Sequence, residues 1–162
     1  MQQGEPVSER TNISSGSPFE PTIGFSRAVR VGDRVMVSGT APVFPDGSCP
    51  DDVRPQTRRC LEIIATALAD AGADLRHVVR TRIFITSVEH ASGAGDVHGD
   101  VFGDIRPAST MLVVSGLLDP RWKVEIEAEA ILSGDPVLRA AAEQGLRRAS
   151  GRTCDRPRAP RR

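Results

Sequence analysis

The segment from residue 106 to residue 130, RPASTMLVVSGLLDPRWKVEIEAEA, constrains the fold of this chain more than any other stretch. Apolar and polar residues alternate in both of its halves, and a proline-containing turn separates them. Because successive side chains of a β-strand point to opposite faces, the pattern predicts two strands. One face of the first strand carries Ser109, Met111, Val113 and Ser115, and the other carries Ala108, Thr110, Leu112, Val114 and Gly116.

The second of these strands separates apolar from acidic side chains. Its apolar face consists of Val124, Ile126, Ala128 and Ala130. Its opposite face carries Glu125, Glu127 and Glu129. Three carboxylates in a row on a strand form either a solvated surface or part of a polar site. The function of the chain depends largely on which of these two interpretations is right.

The remaining elements predict an α+β domain in which helices cover one face of a sheet. A hairpin is predicted around Gly32 and Asp33, because this pair suits a two-residue turn. A helix is predicted over residues 55–71, where apolar residues recur every three or four positions. A strand follows over residues 77–86. The next segment is a glycine-rich helix, which is expected to be the weakest element of the core.

Three parts are predicted along the chain. Residues 1–20 lack periodicity and are rich in Gly, Ser and Pro, so a flexible N-terminal segment is expected there. Residues 21–134 contain the strands and the two main helices and form the domain. Residues 135–162 predict a short helix and a disordered tail, because eight arginines oppose two acidic residues after position 138.

The face of the sheet that no helix covers is expected to drive self-association. Alternation along residues 78–85 places Val78 and Phe84 on that face with two arginines, while Val79, Thr81, Ile83 and Ile85 lie on the other. With Met111 and Val113, these residues would expose an apolar patch in a monomer. Oligomerisation would cover the patch.

The two arginines on this face, Arg80 and Arg82, predict partners for the row of glutamates. Unpaired carboxylates are costly to bury, so Glu127 and Glu129 are expected to pair with them. One carboxylate of the row would then remain free to act in a cleft.

The composition and motifs of the chain exclude several classes of protein. No apolar run approaches the ~20 residues of a membrane span or forms a signal peptide, so a soluble, cytoplasmic protein without membrane contact is expected. The three cysteines are far apart and predict free thiols. The histidines lack metal-ligand spacing and no glycine-rich phosphate loop follows a strand, so no metal and no cofactor are expected. The tail is basic but lacks aromatic residues, which makes nucleic-acid binding an unfavoured alternative.

Four motifs occur in an order and spacing that resemble those of the RidA/YjgF family, the reactive intermediate deaminases. The motifs are FSRAVRVGDRVMVSG, QT followed by LADAGADLRHVVRTRIFIT, RPAS and KVEIEAEA, and together they span about residues 22–132. The resemblance implies a chorismate-mutase-like α+β fold with two helices packed on one face of the sheet. It also implies a homotrimer with a central barrel and three clefts between subunits, in which a small molecule binds.

The resemblance also implies which residues line the cleft. In the deaminating members, a glutamate of the VEIE motif positions or activates the water that hydrolyses an imine, and it corresponds to Glu125. Ser38 and Gly39 match the family's SG pair, and Phe25 stands where those members typically have tyrosine. The family's carboxylate-binding arginine belongs to a PARS motif. This chain reads PAST there, which places Ser109 at the arginine position.

The loss of that arginine changes the expected substrate. A bidentate, charge-assisted contact to a carboxylate is worth roughly 1.5–3 kcal/mol, whereas a serine hydroxyl offers about 1 kcal/mol. Thr110 and Arg106 complete the predicted substrate-binding set. Arg27 and Arg121 are further cations that are candidates to replace the missing one.

Three functions follow from the sequence. The first is a RidA-like trimer that binds a neutral or differently charged metabolite and, if it is an enzyme, hydrolyses a C=N bond with Glu125 as general acid or base. The second is a deaminase of 2-imino acids such as 2-iminobutanoate and 2-iminopropanoate. The third is a non-catalytic trimeric scaffold or chaperone-like interaction protein.

Overall fold

The computed structural model describes residues 9–132, which form a six-stranded sheet with helices on one face. The strands are β1 (Arg10–Ile13), β2 (Ala28–Val31), β3 (Arg34–Thr40), β4 (Val78–Ile85), β5 (Ala108–Val113) and β6 (Val124–Ile131). The helices are α1 (Phe19–Ile23), α2 (Val53–Asp70) and α3 (His90–Phe102), with a 3₁₀ turn at Leu75–His77. The strand order is β1-β2-β3-β6-β4-β5, and β4 and β5 form the parallel pair. The predicted α+β class is confirmed.

Helix α2 packs against β3 and β6, the two central strands. Asp52 caps its first turn by accepting a hydrogen bond of 2.9 Å from the backbone N–H of Arg54. Its end is marked by Gly72, whose φ of 77° favours glycine. The buried stripe includes Thr57, Leu61, Ile64 and Leu68, as the period of the sequence predicts.

Helix α3 forms over thirteen residues despite its glycines, and the packing of one of them explains why. A Cβ added at Gly93 would lie 2.6 Å from Cγ1 of Val53, so α3 can approach α2 this closely only with glycine at that position. Gly95 and Gly99 face open space instead. The expected cost of glycine to helix stability therefore applies to these two, whereas Gly93 contributes to packing.

Three sequence predictions about the strands are wrong. Met111 was expected on the face without helices, but β5 aligns it with Ile83 and it packs against the core. Regular structure begins at Arg10, within the segment 1–20 that was expected to be flexible, because β1 pairs with β2 and buries Ile13 in the core. Val78 is 3% exposed and lies against the core, because the register between β4 and β6 shifts between Val78 and Arg80. The helix and tail predicted for residues 135–162 lie outside the described residues.

The edge of the sheet formed by β5 remains uncovered in one chain. Leu112 is 53% exposed and Val113 is 56% exposed on this strand. Exposed apolar residues on an edge strand are a typical surface for association with another chain. Within residues 9–132, no helix is long and apolar enough to span a membrane.

Candidate functional site

Glu125 lies on β6 beside an irregularity in β3. The register between β3 and β6 shifts between Val37 and Thr40, so that β3 contains one extra residue there. Ser38 and Gly39 form this bulge. The carboxylate of Glu125 approaches Gly39 so closely that a Cβ at this position would collide with its Oε1 atom. Glycine at the end of the hairpin therefore makes room for the glutamate.

The carboxylate of Glu125 is half-buried and has no hydrogen bond or ion pair with another residue in the range 9–132. Burial raises its pKa above the ordinary value, and repulsion from Glu127 raises the pKa further. Attraction to the guanidinium of Arg27 opposes both effects. A carboxyl group in this state is suited to accepting and donating protons.

The other two glutamates of β6 pair with arginines of β4. Nη1 of Arg82 lies 3.2 Å from Glu127 and its Nη2 lies 2.9 Å from Glu129, while Nε of Arg80 lies 4.0 Å from Glu129. The register aligns Arg82 with Glu127 and Arg80 with Glu129 across the two strands. The predicted pairing is confirmed, and it forms within one chain. Thr110 is aligned with Arg82 on the adjacent strand and lies on the same face.

Arg27 supports the bulge from the start of the hairpin. Its Nη1 donates hydrogen bonds to the carbonyl oxygen of Gly39 at 2.9 Å and to Oγ1 of Thr40 at 3.0 Å. Its guanidinium carbon lies 5.9 Å from the centre of the Phe25 ring. Its Nε is buried and has no partner within residues 9–132. Burial lowers the pKa of Arg27, while nearby carboxylates, including that of Glu125, favour its charged form.

Sequence reasoning missed a second carboxylate near Arg27. Glu20 on α1 is 6% exposed, and its carboxylate accepts hydrogen bonds from the hydroxyl of Ser14 and from the N–H and hydroxyl of Ser15, at 2.8 and 2.7 Å. These hydrogen bonds hold the pKa of Glu20 below its ordinary value. Glu20 lies in a segment without periodicity, so no pattern in the sequence indicates that it is buried.

An open depression of ≈ 520 Å³ lies beside the bulge. Phe25, Ser26 and Ser38 line it together with Glu20 and residues of β1. The hydroxyl of Ser38 donates a hydrogen bond of 2.7 Å to the carbonyl oxygen of Ser26. The fold therefore brings Phe25 and Ser38 together next to Gly39, where Glu125 is seated.

Ser109 lies on the face of the sheet opposite to Glu125 within one chain. It is aligned with Thr81 of β4, and Oγ1 of Thr81 donates a hydrogen bond of 2.9 Å to its hydroxyl oxygen. Nε2 of His98 on α3 lies 3.0 Å from the same Oγ1 atom. Burial lowers the pKa of His98. Ser109 thus ends a chain of hydrogen bonds that leads to α3, and a single chain does not bring it together with Glu125.

The candidate replacement cations are placed differently from one another. Arg106 has a φ of 52° just before β5, and its Nε donates a hydrogen bond of 3.0 Å to a backbone carbonyl at the end of α3. Arg121 pairs with Asp119 at 2.7 Å. Within residues 9–132, Arg27 is the cation that influences the pKa of Glu125. The same range contains no group of three or more His, Cys, Asp or Glu side chains arranged to hold a metal ion.

The sequence model of the family described as Endoribonuclease L-PSP matches residues 16–132, the region that contains the bulge, Glu125 and Ser109. The chain belongs to the RidA/YjgF family. The mixed six-stranded sheet with two main helices is the fold found in solved structures of that family. The family membership and the chorismate-mutase-like fold predicted from four motifs are therefore confirmed.

The RidA/YjgF relatives include bacterial proteins that cover nearly the whole described domain. SCO2049 of Streptomyces coelicolor is 37% identical over 119 residues, which are 73% of this chain and 89% of the relative. The crystal structure of Rv2704 from Mycobacterium tuberculosis has 46% identity and a TM-score of 0.70, covering 76% of this chain and 100% of that one. The crystal structure of E. coli TdcF with bound serine has 27% identity and a TM-score of 0.64, covering 80% and 100%.

Proposed function

We propose that this protein binds a small metabolite and hydrolyses its C=N bond, with Glu125 as general acid and base. The observation that supports this proposal is the state of Glu125, which is half-buried, unpaired within residues 9–132 and seated against Gly39. A carboxylate with a purely structural role would be expected to pair with a cation, as Glu127 does with Arg82. A buried carboxyl with a raised pKa is instead suited to proton transfer.

Hydrolysis of a protonated imine requires one water molecule and a group that first accepts and then donates a proton. Ionised Glu125 takes a proton from water as the water oxygen adds to the imine carbon, which gives a neutral carbinolamine. Protonated Glu125 then returns the proton to the nitrogen. The C–N bond breaks as the hydroxyl proton passes to the departing ammonia. A protonated imine and water thus yield a carbonyl compound and ammonium, and Glu125 is ionised again.

In this proposal the complete site lies between subunits of a homotrimer, as the family resemblance implies. Ser109 and Glu125 lie on opposite faces of one chain's sheet, so a neighbouring chain would have to bring Ser109 to the glutamate. The exposed Leu112 and Val113 on the edge strand β5 supply an apolar surface that such a contact would bury.

The proposed ligand is a small polar molecule. The depression beside Phe25 and Ser38 is open and lined by both polar and apolar groups, which suits such a ligand. The relative TdcF, whose crystal structure contains bound serine, supports a ligand of that size. Ser109 carries no charge, so we favour an altered substrate over the 2-imino acids that an arginine at this position would bind.

The test of this function uses imines that are generated in the assay. An amino acid oxidase supplies 2-iminopropanoate, and a flavin amine oxidase acting on short primary amines supplies imines without a carboxylate. We expect the wild type to accelerate ammonia release from at least one imine, and Glu125→Gln to lower kcat/KM by about 10²- to 10⁴-fold. Glu127→Gln makes the same charge change two residues further along the strand and is expected to change kcat/KM by less than about threefold.

Two outcomes would contradict the proposal in different ways. Equal activity of the wild type and Glu125→Gln would show that Glu125 has no role in proton transfer. If no imine is hydrolysed faster and no metabolite binds, while sedimentation still shows a trimer, the non-catalytic scaffold would be favoured instead.

A further inference from the structure

The charges around the bulge do not balance. Glu125 and Glu20 both lie close enough to Arg27 to favour its charged form, so two carboxylates share one guanidinium. Arg27 forms no ion pair within 4.0 Å with either of them among the described residues. When Glu125 is ionised, this group of three side chains carries an excess of one negative charge. A ligand that binds here meets an acidic environment.

The nearest guanidinium does not present a free edge to an anion. A carboxylate is bound most strongly by two parallel N–H groups on one edge of arginine. In Arg27, Nη1 already donates to the carbonyl of Gly39 and to Thr40, so it is not free to form one of two parallel hydrogen bonds to a ligand. Its Nε is buried and inaccessible. Arg27 therefore shapes the bulge and is poorly placed to bind a substrate carboxylate.

The arginines of the neighbouring strand are also occupied. Arg82 bridges Glu127 and Glu129 through its two terminal nitrogens, and Arg80 lies beside Glu129. The two cations and two carboxylates of this group cancel one another. Glu125 has no arginine across from it in this way, because it is aligned with Phe84 of β4.

The position of the family arginine is neutral as well. Ser109 offers a hydroxyl whose orientation is fixed by Thr81, and Thr81 in turn contacts Nε2 of His98. A neutral imidazole can donate or accept a hydrogen bond at Nε2, so the Ser109 hydroxyl can present either a donor or an acceptor to a ligand. Such a group recognises an amide or a hydroxyl as readily as a carboxylate, and without charge selection.

We infer that the substrates of this protein are small imines in the protonated, cationic form that carry no carboxylate. The uncompensated Glu125 attracts the iminium nitrogen, and the neutral Ser109 subsite accepts an amide or hydroxyl group. This inference rests on the proposed function, because it assigns the substrate class of the same site. It disfavours 2-imino acids as substrates, because neither Arg27 nor Arg82 offers a free guanidinium edge beside Glu125. Arg10 also lines the depression, but it lies on β1, three strands away from Glu125 in the sheet.

Three probes of nearly equal size and shape test the charge preference without any turnover. They are alaninamide, which is a cation at about pH 6.5, neutral pyruvamide, and the pyruvate anion. Binding to the full-length protein is measured by calorimetry or by ligand-observed NMR. We expect alaninamide to bind best and pyruvate worst, with about a tenfold difference between them that shrinks as salt is added.

Two variants show whether Glu125 sets this preference. Glu125→Gln removes the negative charge with little change in shape, so alaninamide and pyruvate should then bind with similar affinity. Glu62→Gln makes the same change to the net charge on the exposed face of α2 and should leave the wild-type order intact. An unchanged order in Glu125→Gln would overturn the inference.

Other results would separate the substrate class from imine hydrolysis, because one of the two can fail while the other holds. Pyruvate binding more tightly than pyruvamide would mean that a cation completes the site, and the substrate class would be wrong even if 2-iminopropanoate is hydrolysed. Failure of all three probes to bind would also overturn it. If alaninamide is preferred but no imine is hydrolysed, the proposed function fails and the charge preference of the site stands.

Discussion

The two ends of β6 give the same residue type opposite environments. Glu127 and Glu129 lie opposite Arg82 and Arg80, and their carboxylates are neutralised by these arginines. Glu125 lies on the same face of the same strand but is aligned with Phe84, so no cation lies across from it. The difference arises from two positions of β4. Arg82 lies across from Glu127 and pairs with it, whereas Phe84 lies across from Glu125 and leaves it without a cation on that side.

The partner strand on the other side reinforces this difference. Next to Glu125, β3 bulges at Ser38 and Gly39, and the glycine admits the carboxylate into the space that a side chain would fill. Arg27 fixes the bulge through the carbonyl of Gly39 and does not contact the glutamate directly. A carboxylate that is buried without a partner carries a free-energy cost, and such costs are typical of functional sites.

The largest effect on activity is expected from filling the space above Gly39 that the carboxylate of Glu125 occupies. In Gly39→Ala, the added Cβ collides with Oε1 of Glu125 and forces the carboxylate out of its position. The backbone at Gly39 does not have a positive φ, so the collision, and not backbone strain, causes the effect. We expect kcat/KM for imine hydrolysis to fall by about 100-fold, because misplacing a catalytic group by about 1 Å has this consequence.

The matched control for this substitution is Gly95→Ala in α3. A Cβ at Gly95 meets nothing within 4 Å, and alanine favours the helix by roughly 0.5–1 kcal/mol. This variant should be slightly more stable in urea unfolding and fully active. Full activity of Gly39→Ala would mean that the position of the Glu125 carboxylate against Gly39 is not needed for imine hydrolysis.

A smaller effect on activity is expected from placing a positive charge at position 109, the other side of the proposed cleft. Ser109→Arg supplies the guanidinium that carboxylate-binding members of the family have, and it should raise kcat/KM for 2-iminopropanoate by about tenfold. The wild type should hydrolyse this substrate weakly or not at all. Ammonia release in a coupled assay measures both rates.

Ser109→Gln is the control for Ser109→Arg, since it adds a long polar side chain without charge. It should give no gain. Wild-type turnover of 2-iminopropanoate comparable to that of an arginine-bearing relative would contradict our interpretation of Ser109.

Features that depend on local chemistry or on simple alternation were predictable from the sequence. The turn at Gly32 and Asp33 joins β2 and β3 as expected, because the residues at a two-residue turn determine its geometry. The pairing of Arg82 with Glu127 was predictable, because alternation places both side chains on the face without helices. The family motifs then indicated Glu125 as the candidate catalytic glutamate, and this role stays a prediction.

Features that depend on how distant segments meet were not predictable. The burial of Val78 follows from a register shift against β6, and one strand's own sequence carries no signal for such a shift. The burial of Glu20 depends on hydrogen bonds within a short non-periodic segment. Alternation along β5 predicted that Ser109 and Thr110 face opposite ways. The pairing of β4 with both β5 and β6 is what places Ser109 away from Glu125.

The smallest expected effect is on the free energy of unfolding. It should rise in Glu125→Gln and fall in Glu127→Gln at neutral pH. Burial raises the pKa of Glu125 in the folded protein above its value in the unfolded chain. As the pH rises above the ordinary pKa of glutamate, the unfolded chain loses its proton more readily, and the folded state is destabilised relative to it. Glu125→Gln should therefore stabilise the protein at neutral pH, and the gain should vanish below about pH 4. Glu127→Gln breaks a half-exposed ion pair with Arg82 and should destabilise by less than about 1 kcal/mol, less at high salt. Urea unfolding at both pH values measures these differences, and destabilisation by Glu125→Gln at neutral pH would show that this carboxylate contributes to the fold in the way Glu127 does.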